Sequence, residues 1–323
     1  MYLIGTDINE HHLAWIRDPL HPENAVDEAH LMPRASDPSY IDRLNDLIEK
    51  TRANFVYPQS DTEVGFISEH RERINAPVFL PAKKTVSTCQ DKFLSAKAWE
   101  AAGLPIVRTL YVTSDERDLA AAENAFGYPY WMRASTGAGG RGSALVENAE
   151  NARSWIRFWE SKGVPWKFIA QEYLPGAIIA FQSVWKDGKP ITSQARERVE
   201  YIYPYLAPSG ITGTPVVART IVRKDVNDMA TRAILAIDPK ASGVFCVDLR
   251  ENKNGVPIPT EINPGRFFTT SYFFTAAGVN MPHCYVSLAY GDPMPKMQPY
   301  DAVGADVYWC RHIDCPGVLR KTT

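Results

Sequence analysis

A run of glycines at residues 133–143, with the sequence RASTGAGGRGS, constrains the fold more than any other stretch of the chain. Gly137, Gly139 and Gly142 match the G-x-G-x-x-G pattern of a dinucleotide-binding turn, in which a strand enters the glycines and a helix opens on the last of them. The apolar segment before the run can form that strand, but residues 143–147 are too short and too apolar to open a helix. The sequence therefore predicts a glycine-rich hairpin loop between two antiparallel strands.

Two arginines, Arg133 and Arg141, stand at the two ends of this loop. Glycine allows close backbone approach and positive φ, and guanidinium groups donate to phosphate oxygens, so the loop suits closure over a phosphate. A Walker-type phosphate loop is excluded, because it requires Gly-Lys-Ser/Thr and this run ends in Gly-Arg-Gly-Ser. A flexible surface turn is an equal alternative at this point, since glycine-rich loops are common.

Composition limits the classes of partner. Lys and Arg number 35 against 37 Asp and Glu, and a net charge of −2 gives no field that would steer the protein onto nucleic acid or an anionic membrane. The N-terminus has no signal-peptide pattern, and no stretch approaches about eighteen continuous apolar residues, so we expect a cytoplasmic protein without membrane contact. The five cysteines lack the paired spacing of a zinc site, and we expect them to be structural.

The pattern of apolar residues predicts an α/β layer followed by α+β modules. Residues 2–7 and 54–58 are typical of buried strands, and the helix between them has an apolar face with Ile41, Leu44 and Ile48. Further along, strands and helices alternate to about residue 174. This alternation indicates a small open α/β layer and then a compact α+β module.

Local signals mark the ends of several later elements. Asp91 is expected to cap a helix, and Asp187-Gly188 and Asn254-Gly255 each lie between apolar runs and predict hairpin turns. The last part of the chain is therefore expected to be rich in antiparallel strands.

Oxygen-bearing side chains gather at the second of these hairpins. Asp248 lies near the end of one predicted strand, and Glu261 and Asn263 lie on the next, where period-two alternation points them to one face and Ile262 to the other. Two carboxylates and an amide oxygen are ligands that Mg²⁺ takes when it also binds nucleotide phosphates. A salt-bridged hairpin is the alternative, but it leaves Asn263 and the nearby Arg266 unexplained.

These motifs, in this order, resemble the ATP-grasp superfamily, most closely the branch of biotin carboxylase and the carbamoyl-phosphate synthase large subunit, over roughly residues 57–291. The resemblance implies an ATP-grasp fold of the α/β and α+β classes, in which two α+β subdomains clasp ATP after an abridged Rossmann-like domain. The implied boundaries are residues 1–82 for the abridged domain and 83–323 for the ATP-grasp domain, with a lid subdomain at about 108–174 and a C-terminal subdomain at about 175–323.

Individual residues carry the resemblance to the nucleotide site. Lys92, at the end of a Gln-Asp-Lys motif, resembles a lysine that touches nucleotide phosphate, and Arg133 resembles the phosphate-binding residue before the glycine-rich flap. The backbone at Gln171, Glu172 and Leu174 resembles the hinge that hydrogen-bonds adenine. The residues implied to bind ATP are Lys92, Arg133, Gly137, Gly139, Gly140, Gln171, Glu172 and Leu174.

The resemblance extends to the metal and the reacting groups. It implies that Asp248, Glu261 and Asn263 hold Mg²⁺, with Mn²⁺ as an alternative ion. Arg266 resembles the arginine that steadies an acyl phosphate, and Arg198 falls where related ligases contact phosphate and substrate.

The implied activity is that of an ATP- and Mg²⁺-dependent ligase. Transfer of the γ-phosphoryl group to a carboxylate gives an acyl phosphate, and an amine-type nucleophile then expels phosphate, so the partners would be a small-molecule carboxylate and an amine. Two alternatives stay open. One is an ATP-binding regulatory protein without ligase chemistry, and the other is phosphorylation of bicarbonate or carbamate in the manner of carbamoyl-phosphate synthase.

Two features depart from the family pattern. The family usually places an acidic residue on the ribose hydroxyls, where this chain has Ile178 or Ile179, and Gln182 stands where a second acid is common. The preceding domain also begins at what would be its second strand. Its sheet would then have an unpaired edge, which a homodimer would cover.

The sequence gives two weaker indications about substrates. Asp61 and Glu63 follow a predicted strand and are candidates for holding an amine, although helix capping by Ser60 or Asp61 explains them equally well. A group of aromatic residues predicts either an acceptor pocket or ordinary core packing. Its members are Tyr201, Tyr203, Tyr205, Phe267, Phe268, Tyr272, Phe273 and Phe274.

Overall fold

The computed structural model describes residues 1–16, 26–137, 140, 142–207, 209–213, 215–312 and 315–321. The chain forms two compact units, Met1–Phe79 and Leu80–Thr323. Three members of the glycine run, Ala138, Gly139 and Arg141, lie outside the described residues, so the predicted phosphate contact of Gly139 lies outside them as well.

The first unit is a small α/β layer. Its elements are β1 (Ile4–Asp7), α1 (Glu10–Trp15), β2 (Glu28–Leu31), α2 (Tyr40–Thr51) and α3 (Asp61–Glu69), followed by a 3-10 turn at Arg71–Arg73. Strands β1 and β2 pair in parallel. Helix α2 buries Ile41, Leu44 and Ile48, as its apolar spacing predicts.

The strand predicted over residues 54–58 is wrong. Only Val56 pairs, in an isolated parallel bridge with Val78. Pro77 directly precedes Val78, and Pro58 follows Val56 by two residues. Proline lacks the N–H that a longer ladder requires. The predicted strand is therefore reduced to a single bridge.

The second unit opens with two helices, α4 (Lys83–Gln90) and α5 (Lys92–Ala101). Asp91 caps α5 as predicted, because its carboxylate accepts hydrogen bonds from the amides of Phe93 at 2.8 Å and Leu94 at 3.2 Å. The cap fixes the place where the chain enters α5, and so it fixes the position of Lys92.

A small sheet follows α5. Its region contains β3 (Thr109–Val112), α6 (Glu116–Phe126), β4 (Tyr130–Ala134), β5 (Ala144–Val146), α7 (Ala149–Ser161) and β6 (Phe168–Glu172). The four strands are antiparallel in the order β3-β6-β4-β5, and α6 and α7 pack against them. The glycine run joins β4 to β5, so the hairpin prediction is confirmed.

A large sheet makes up the rest of the second unit. Its region contains β7 (Ile178–Lys186), β8 (Lys189–Tyr201), β9 (Pro215–Ile221), α8 (Lys224–Ile237), β10 (Gly243–Glu251), β11 (Pro257–Pro264), α9 (Ser271–Ala276), α10 (Met281–Tyr290), β12 (Val307–His312) and β13 (Cys315–Lys321). The seven strands have the order β11-β10-β7-β8-β9-β12-β13, and every neighbouring pair is antiparallel.

Both predicted hairpin turns are present in the large sheet. Asp187 and Gly188 join β7 to β8 with positive φ angles of 49° and 78°, the backbone that a tight two-residue turn requires. Gly255, at 74°, lies in the loop between β10 and β11. The second turn brings β11 back against β10, with consequences for the candidate site.

The alternation of side chains turns one face of the large sheet towards an apolar core. Helices α5 and α8 contribute to the core on the apolar face, where Trp99, Ile234, Phe245 and Ile262 are buried together. Alternate residues of β10 and β11 therefore point away from this core. Those residues include the predicted metal ligands.

Candidate active site

A cavity of about 360 Å³ lies between residues of the small sheet and residues of the large sheet, within the second unit. Every predicted site residue that the structure describes lines it. These residues are Lys92, Arg133, Gly137, Gly140, Gln171, Glu172, Leu174, Arg198, Asp248, Glu261, Asn263 and Arg266. Residues that are separated by more than 170 positions in the chain are thus gathered around one space, and their individual roles stay predictions.

The three predicted metal ligands are held by the pairing of β10 with β11. Asp248 lies directly opposite Glu261, and Asn263 lies opposite Cys246, so the three side chains share one face of the sheet. Ile262 points to the core on the other face. Asp248 and Asn263 are buried, and the Nδ2 of Asn263 donates to Oδ2 of Asp248 at 3.3 Å.

Cations from three other elements contact these oxygens. Lys92 Nζ and Arg133 Nη1 each lie 3.3 Å from Oε2 of Glu261. Arg198 Nη2 lies 2.5 Å from Oδ1 of Asp248. The carboxylates are therefore bound to α5, β4 and β8, and the alternative of a hairpin that carries its own salt bridges does not describe them.

The amide of Asn263 has a cationic partner as well. Arg266 Nη2 donates to Oδ1 of Asn263 at 2.7 Å, and Arg266 lines the cavity. Arg266 follows the end of β11, where Gly265 has a φ of 74° that turns the chain back towards the sheet. The turn keeps Arg266 beside the strand that carries Glu261.

These contacts change the pKa values of the two carboxylates in opposite directions. Burial opposes the ionisation of Glu261, but Lys92 and Arg133 outweigh burial and lower its pKa from 4.5 to about 2. Burial dominates at Asp248 and raises its pKa from 3.8 to about 6, against the opposing charge of Arg198. Glu261 is therefore the more acidic member of the pair.

The described part of the glycine loop is joined to the start of α5. The amide of Lys92 donates to the carbonyl of Ser135 at 2.8 Å, and its Nζ donates to the carbonyl of Gly137 at 2.7 Å. Gly140 has a φ of 71°, and a Cβ there would lie 2.9 Å from the carbonyl oxygen of Ile211. A side chain at this position would be strained and crowded, so the loop needs glycine to approach the cavity wall.

The predicted hinge lies at the end of β6. Gln171 is buried, its Oε1 accepts from Arg133 Nε at 2.8 Å, and its Nε2 donates to Thr109 Oγ1 at 2.8 Å. Leu174 lies just beyond the last residue of the strand, Glu172, where the backbone leaves the ladder of the small sheet. The hinge therefore holds Arg133 in place through a side chain as well as lining the cavity.

Sequence reasoning missed several residues of the cavity wall. Trp131 lies two residues before Arg133 on β4, and Arg250 lies two residues after Asp248 on β10. Both could have been found from the period of two that governs side chains on a strand. Thr260 and Tyr173 also line the cavity, and no comparable pattern marks them.

The two isoleucines at the expected ribose position face in different directions. Ile178 lines the cavity, whereas Ile179 is fully buried in the core of the large sheet. Gln182 is also buried, and its amide is used internally, because it donates to Ser271 Oγ at 3.0 Å and accepts from the amide of Phe268 at 3.2 Å. Of these three residues, Ile178 lines the cavity.

The aromatic group divides between cavity and core. Tyr201 and Phe268 line the cavity. Phe273 stacks on Trp309 with ring centroids 4.9 Å apart, and Phe274 meets the same ring edge-on. The core interpretation therefore holds for Phe273 and Phe274, whereas Tyr272 on the same helix is exposed, and Tyr201 and Phe268 are the members that line the cavity.

The capping interpretation describes Ser60 and Glu63. Ser60 Oγ accepts from the amide of Glu63 at 3.2 Å, and Glu63 Oε2 accepts from the amide of Gln59 at 3.1 Å, which is a reciprocal capping arrangement for α3. Glu63 Oε1 also accepts from the Tyr40 hydroxyl at 2.5 Å. Its oxygens are thus engaged within the first unit.

The donor set at β10 and β11 suits a hard cation. Two carboxylates and one amide offer oxygen ligands only, which Mg²⁺ or Mn²⁺ would accept while keeping positions for water or phosphate. Across the described ranges no group of three or more His, Cys, Asp or Glu residues forms another candidate metal site. Cys89, Cys246 and Cys284 are buried, free thiols.

None of the helices in the described part of the chain is long and apolar enough to cross a membrane.

Part of the chain matches a known protein family. The family model described as "Carbamoyl-phosphate synthase L chain, ATP binding domain" matches residues 91–162. The matched segment begins at the cap of α5 and ends just beyond α7, and so it contains the glycine run and most of the small sheet.

Curated relatives extend the match. The propionyl-CoA carboxylase alpha chain of Ruegeria pomeroyi is 30% identical over 146 residues, which cover 42% of this chain and 21% of that protein. The phosphoribosylaminoimidazole carboxylase of Ogataea methanolica is 22% identical over 280 residues, which cover 84% of this chain and 48% of that protein. The chain spans less than half the length of either relative.

Solved structures match nearly the whole chain. The biotin carboxylase domain of Hydrogenobacter thermophilus 2-oxoglutarate carboxylase has a TM-score of 0.72 at 18% identity, covering 95% of this chain and 68% of that one. N5-carboxyaminoimidazole synthetase from Staphylococcus aureus has a TM-score of 0.69 at 14% identity, covering 95% and 74%. The fold is the ATP-grasp fold. The sequence matches add a likeness to the ATP-binding domain of carbamoyl-phosphate synthase and to the two carboxylase relatives.

Proposed function

We propose that this protein is an ATP- and Mg²⁺-dependent ligase that converts a carboxylate to an acyl phosphate and joins it to an amine-type nucleophile, releasing ADP and phosphate. The main observation in its support is that four cationic side chains contact Asp248, Glu261 and Asn263 in one cavity of an ATP-grasp fold. Similar proteins support the proposal that an adenine nucleotide binds here. The Hydrogenobacter domain was solved with MgADP and bicarbonate, and the Staphylococcus synthetase was solved with ADP.

Different residues of the cavity would bind the phosphates and the metal ion of a nucleoside triphosphate. Lys92 and Arg133 would leave Glu261 and donate to phosphate oxygens, and Gly137 and Gly140 would let the loop backbone approach the same phosphates. Asp248, Glu261 and Asn263 would hold Mg²⁺, which when bound neutralises phosphate charge. At about 4 Å and an effective dielectric near 20, each cation–anion contact contributes roughly 4 kcal/mol before desolvation, so the cations can offset repulsion between two anionic reactants.

The chemistry needs position and charge more than it needs a protein nucleophile. A carboxylate is a poor electrophile because oxide is a poor leaving group, and phosphorylation replaces oxide with phosphate. Arg266 and Arg198, at the same end of the cavity as the metal ligands, would steady the acyl phosphate while the amine attacks its carbonyl carbon. Closure of the glycine loop would keep water from the intermediate.

ADP release during a screen of carboxylate and amine metabolites tests the proposal. Wild-type protein should release ADP only with a matching pair, and mass spectrometry should detect the condensation product. Glu261→Ala should abolish ADP release, whereas Glu116→Ala, at an exposed position on α6, should leave the rate unchanged. Full activity of the Glu261 variant with a verified pair would rule the proposal out, and nucleotide binding without any product would favour the regulatory alternative.

Phosphorylation of bicarbonate is a second candidate function. The specific observation in its favour is that the Hydrogenobacter domain was solved with bicarbonate. ADP release that depends on bicarbonate and needs no other carboxylate would support this function in place of the first.

We also infer a homodimer and a cytoplasmic location. The Hydrogenobacter domain was solved as a dimer, and the two-stranded sheet of the first unit leaves strand edges that a second copy would cover. Light scattering at micromolar concentration should give twice the mass of one chain, and a monomer there would contradict the assembly.

A further inference from the structure

Arg250 differs from the other cations of the cavity, each of which contacts an oxygen of the proposed metal ligands. Its guanidinium carbon lies 5.1 Å from the centroid of the Tyr173 ring, and its Nη2 lies 3.4 Å from the Tyr173 hydroxyl. Its Nε is buried and has no hydrogen-bond partner among the described residues. Because a buried N–H without an acceptor is costly, Arg250 carries a donor that a ligand would satisfy.

The strand register fixes where this donor lies. Arg250 follows Asp248 by two residues on β10, so it lies on the same face of the strand and about 7 Å further along. On the neighbouring strand β7 it pairs with Ile178, and both residues line the cavity. Ile178 offers neither donor nor acceptor, so it does not compete with a ligand for the guanidinium.

An apolar group lies beside Arg250. Ile258, its partner on β11, is buried with Val107 and Leu174, and the last two also line the cavity. Along the wall, Arg250 and this apolar surface therefore follow the proposed metal ligands. In a nucleotide, a sugar rich in oxygen and a flat apolar base likewise follow the charged phosphates.

We propose that Arg250 donates hydrogen bonds to the sugar oxygens of the nucleotide and is a specificity-determining residue of the site. The proposal rests on the function proposed above. Arginine has donors and no acceptor, so the sugar oxygens serve as acceptors here, whereas a carboxylate at the same place would accept from the sugar hydroxyls. The Tyr173 ring supports the guanidinium from one side.

A cycle of two ligands and two proteins tests this assignment. Calorimetry would measure the binding of ADP and of 2′,3′-dideoxy-ADP, each with Mg²⁺, to the wild type and to Arg250→Met. The wild type should bind dideoxy-ADP roughly tenfold more weakly than ADP, the loss that one charge-assisted hydrogen bond carries. Arg250→Met should bind both ligands with the weaker affinity, because the interaction is already gone.

Matched controls keep the result clear. Arg117→Met changes an exposed arginine on α6 outside the cavity and should leave both affinities unchanged. Thermal denaturation reports whether Arg250→Met folds, and Arg250→Lys, which keeps the charge without the planar fork, should fall between the wild type and the methionine variant.

Each outcome decides one question. Equal binding of the two ligands by the wild type would overturn the assignment. It would also be overturned if the loss of binding free energy from Arg250→Met and the loss from the missing hydroxyls were additive. Failure of the wild type to bind ADP at all would instead count against the proposed function. Convergence of the two affinities in Arg250→Met, with Arg117→Met unchanged, would support Arg250 as the sugar contact.

Discussion

Nη2 of Arg198 lies 2.5 Å from Oδ1 of Asp248, so this pair must separate, or rearrange, before Asp248 can give that oxygen to a metal ion. The oxygens of Glu261 and Asn263 are engaged in the same way, by cations that would otherwise meet phosphates. The cations that pair with the proposed metal ligands are therefore the side chains that would contact a charged nucleotide.

This pairing predicts that metal and nucleotide bind together. Mn²⁺ alone should bind weakly, because it must displace cations that have no other anion to contact, and ADP should strengthen Mn²⁺ binding at least about tenfold by accepting those cations. Electron paramagnetic resonance of free Mn²⁺, with and without ADP, measures the effect. Asp248→Asn should remove the strengthening, and tight binding of Mn²⁺ without ADP would contradict the exchange of partners.

Glu261→Gln should destabilise the free protein. The substitution leaves Lys92 and Arg133 near each other in a partly buried site without their shared anion, so we expect a loss of about 2–3 kcal/mol in the free energy of unfolding. Urea denaturation at pH 7 measures it. Glu116→Gln, at an exposed position, should change the free energy of unfolding by less than about 0.5 kcal/mol, and equal stabilities of the two variants would show that the cluster contributes nothing.

The same contact predicts a dependence on pH. Since the folded pKa of Glu261, at about 2, is below its ordinary value of 4.5, its stabilising contribution is complete above pH 4.5 and is lost as the pH falls towards 2. The difference in free energy of unfolding between the wild type and Glu261→Gln should therefore narrow as the pH falls from about 4.5 towards 2. Urea denaturation curves across this range measure the difference. A difference that widens as the pH falls from 4.5 would contradict the lowered pKa of Glu261.

Gly176 lies after the proposed hinge and is tightly enclosed. A Cβ there would lie 2.5 Å from Cβ of Glu251 and 2.9 Å from the carbonyl oxygen of the same residue, to which the Gly176 amide donates at 3.0 Å. Gly176→Ala must move β10 or the hinge, and we expect it to cost about 2 kcal/mol or more and to weaken ADP binding.

A second glycine provides the control for this prediction. Gly163 has a φ of 68° and nothing within 4 Å of an added Cβ, so Gly163→Ala should cost only about 1–2 kcal/mol of backbone strain and leave ADP binding unchanged. Thermal denaturation and calorimetry compare the two variants. If both lose the same stability and neither loses affinity, the crowding at Gly176 does not hold the hinge.

Some of the site was predictable because strand geometry is local. The period of two predicts Glu261 and Asn263 on one face of the strand and Ile262 on the other, and the structure has them there. The cap at Asp91 was predictable for a similar reason, since a short carboxylate side chain can reach only the first amides of its own helix. The strand predicted over residues 54–58 failed because a ladder depends on a partner segment that local patterns do not specify.

The amino-acid sequence by itself determined the hairpin around RASTGAGGRGS, because two short apolar runs and a glycine-rich loop leave a helix no place to begin. It did not determine what the ends of that hairpin touch. Tertiary structure decided that Arg133 meets Glu261 across 128 positions of chain and that Arg250 has no carboxylate to pair with among the described residues. The physical reason is that alternation along a strand fixes only the face of a side chain, whereas its partner is chosen by sheet register and by the charges that burial brings together.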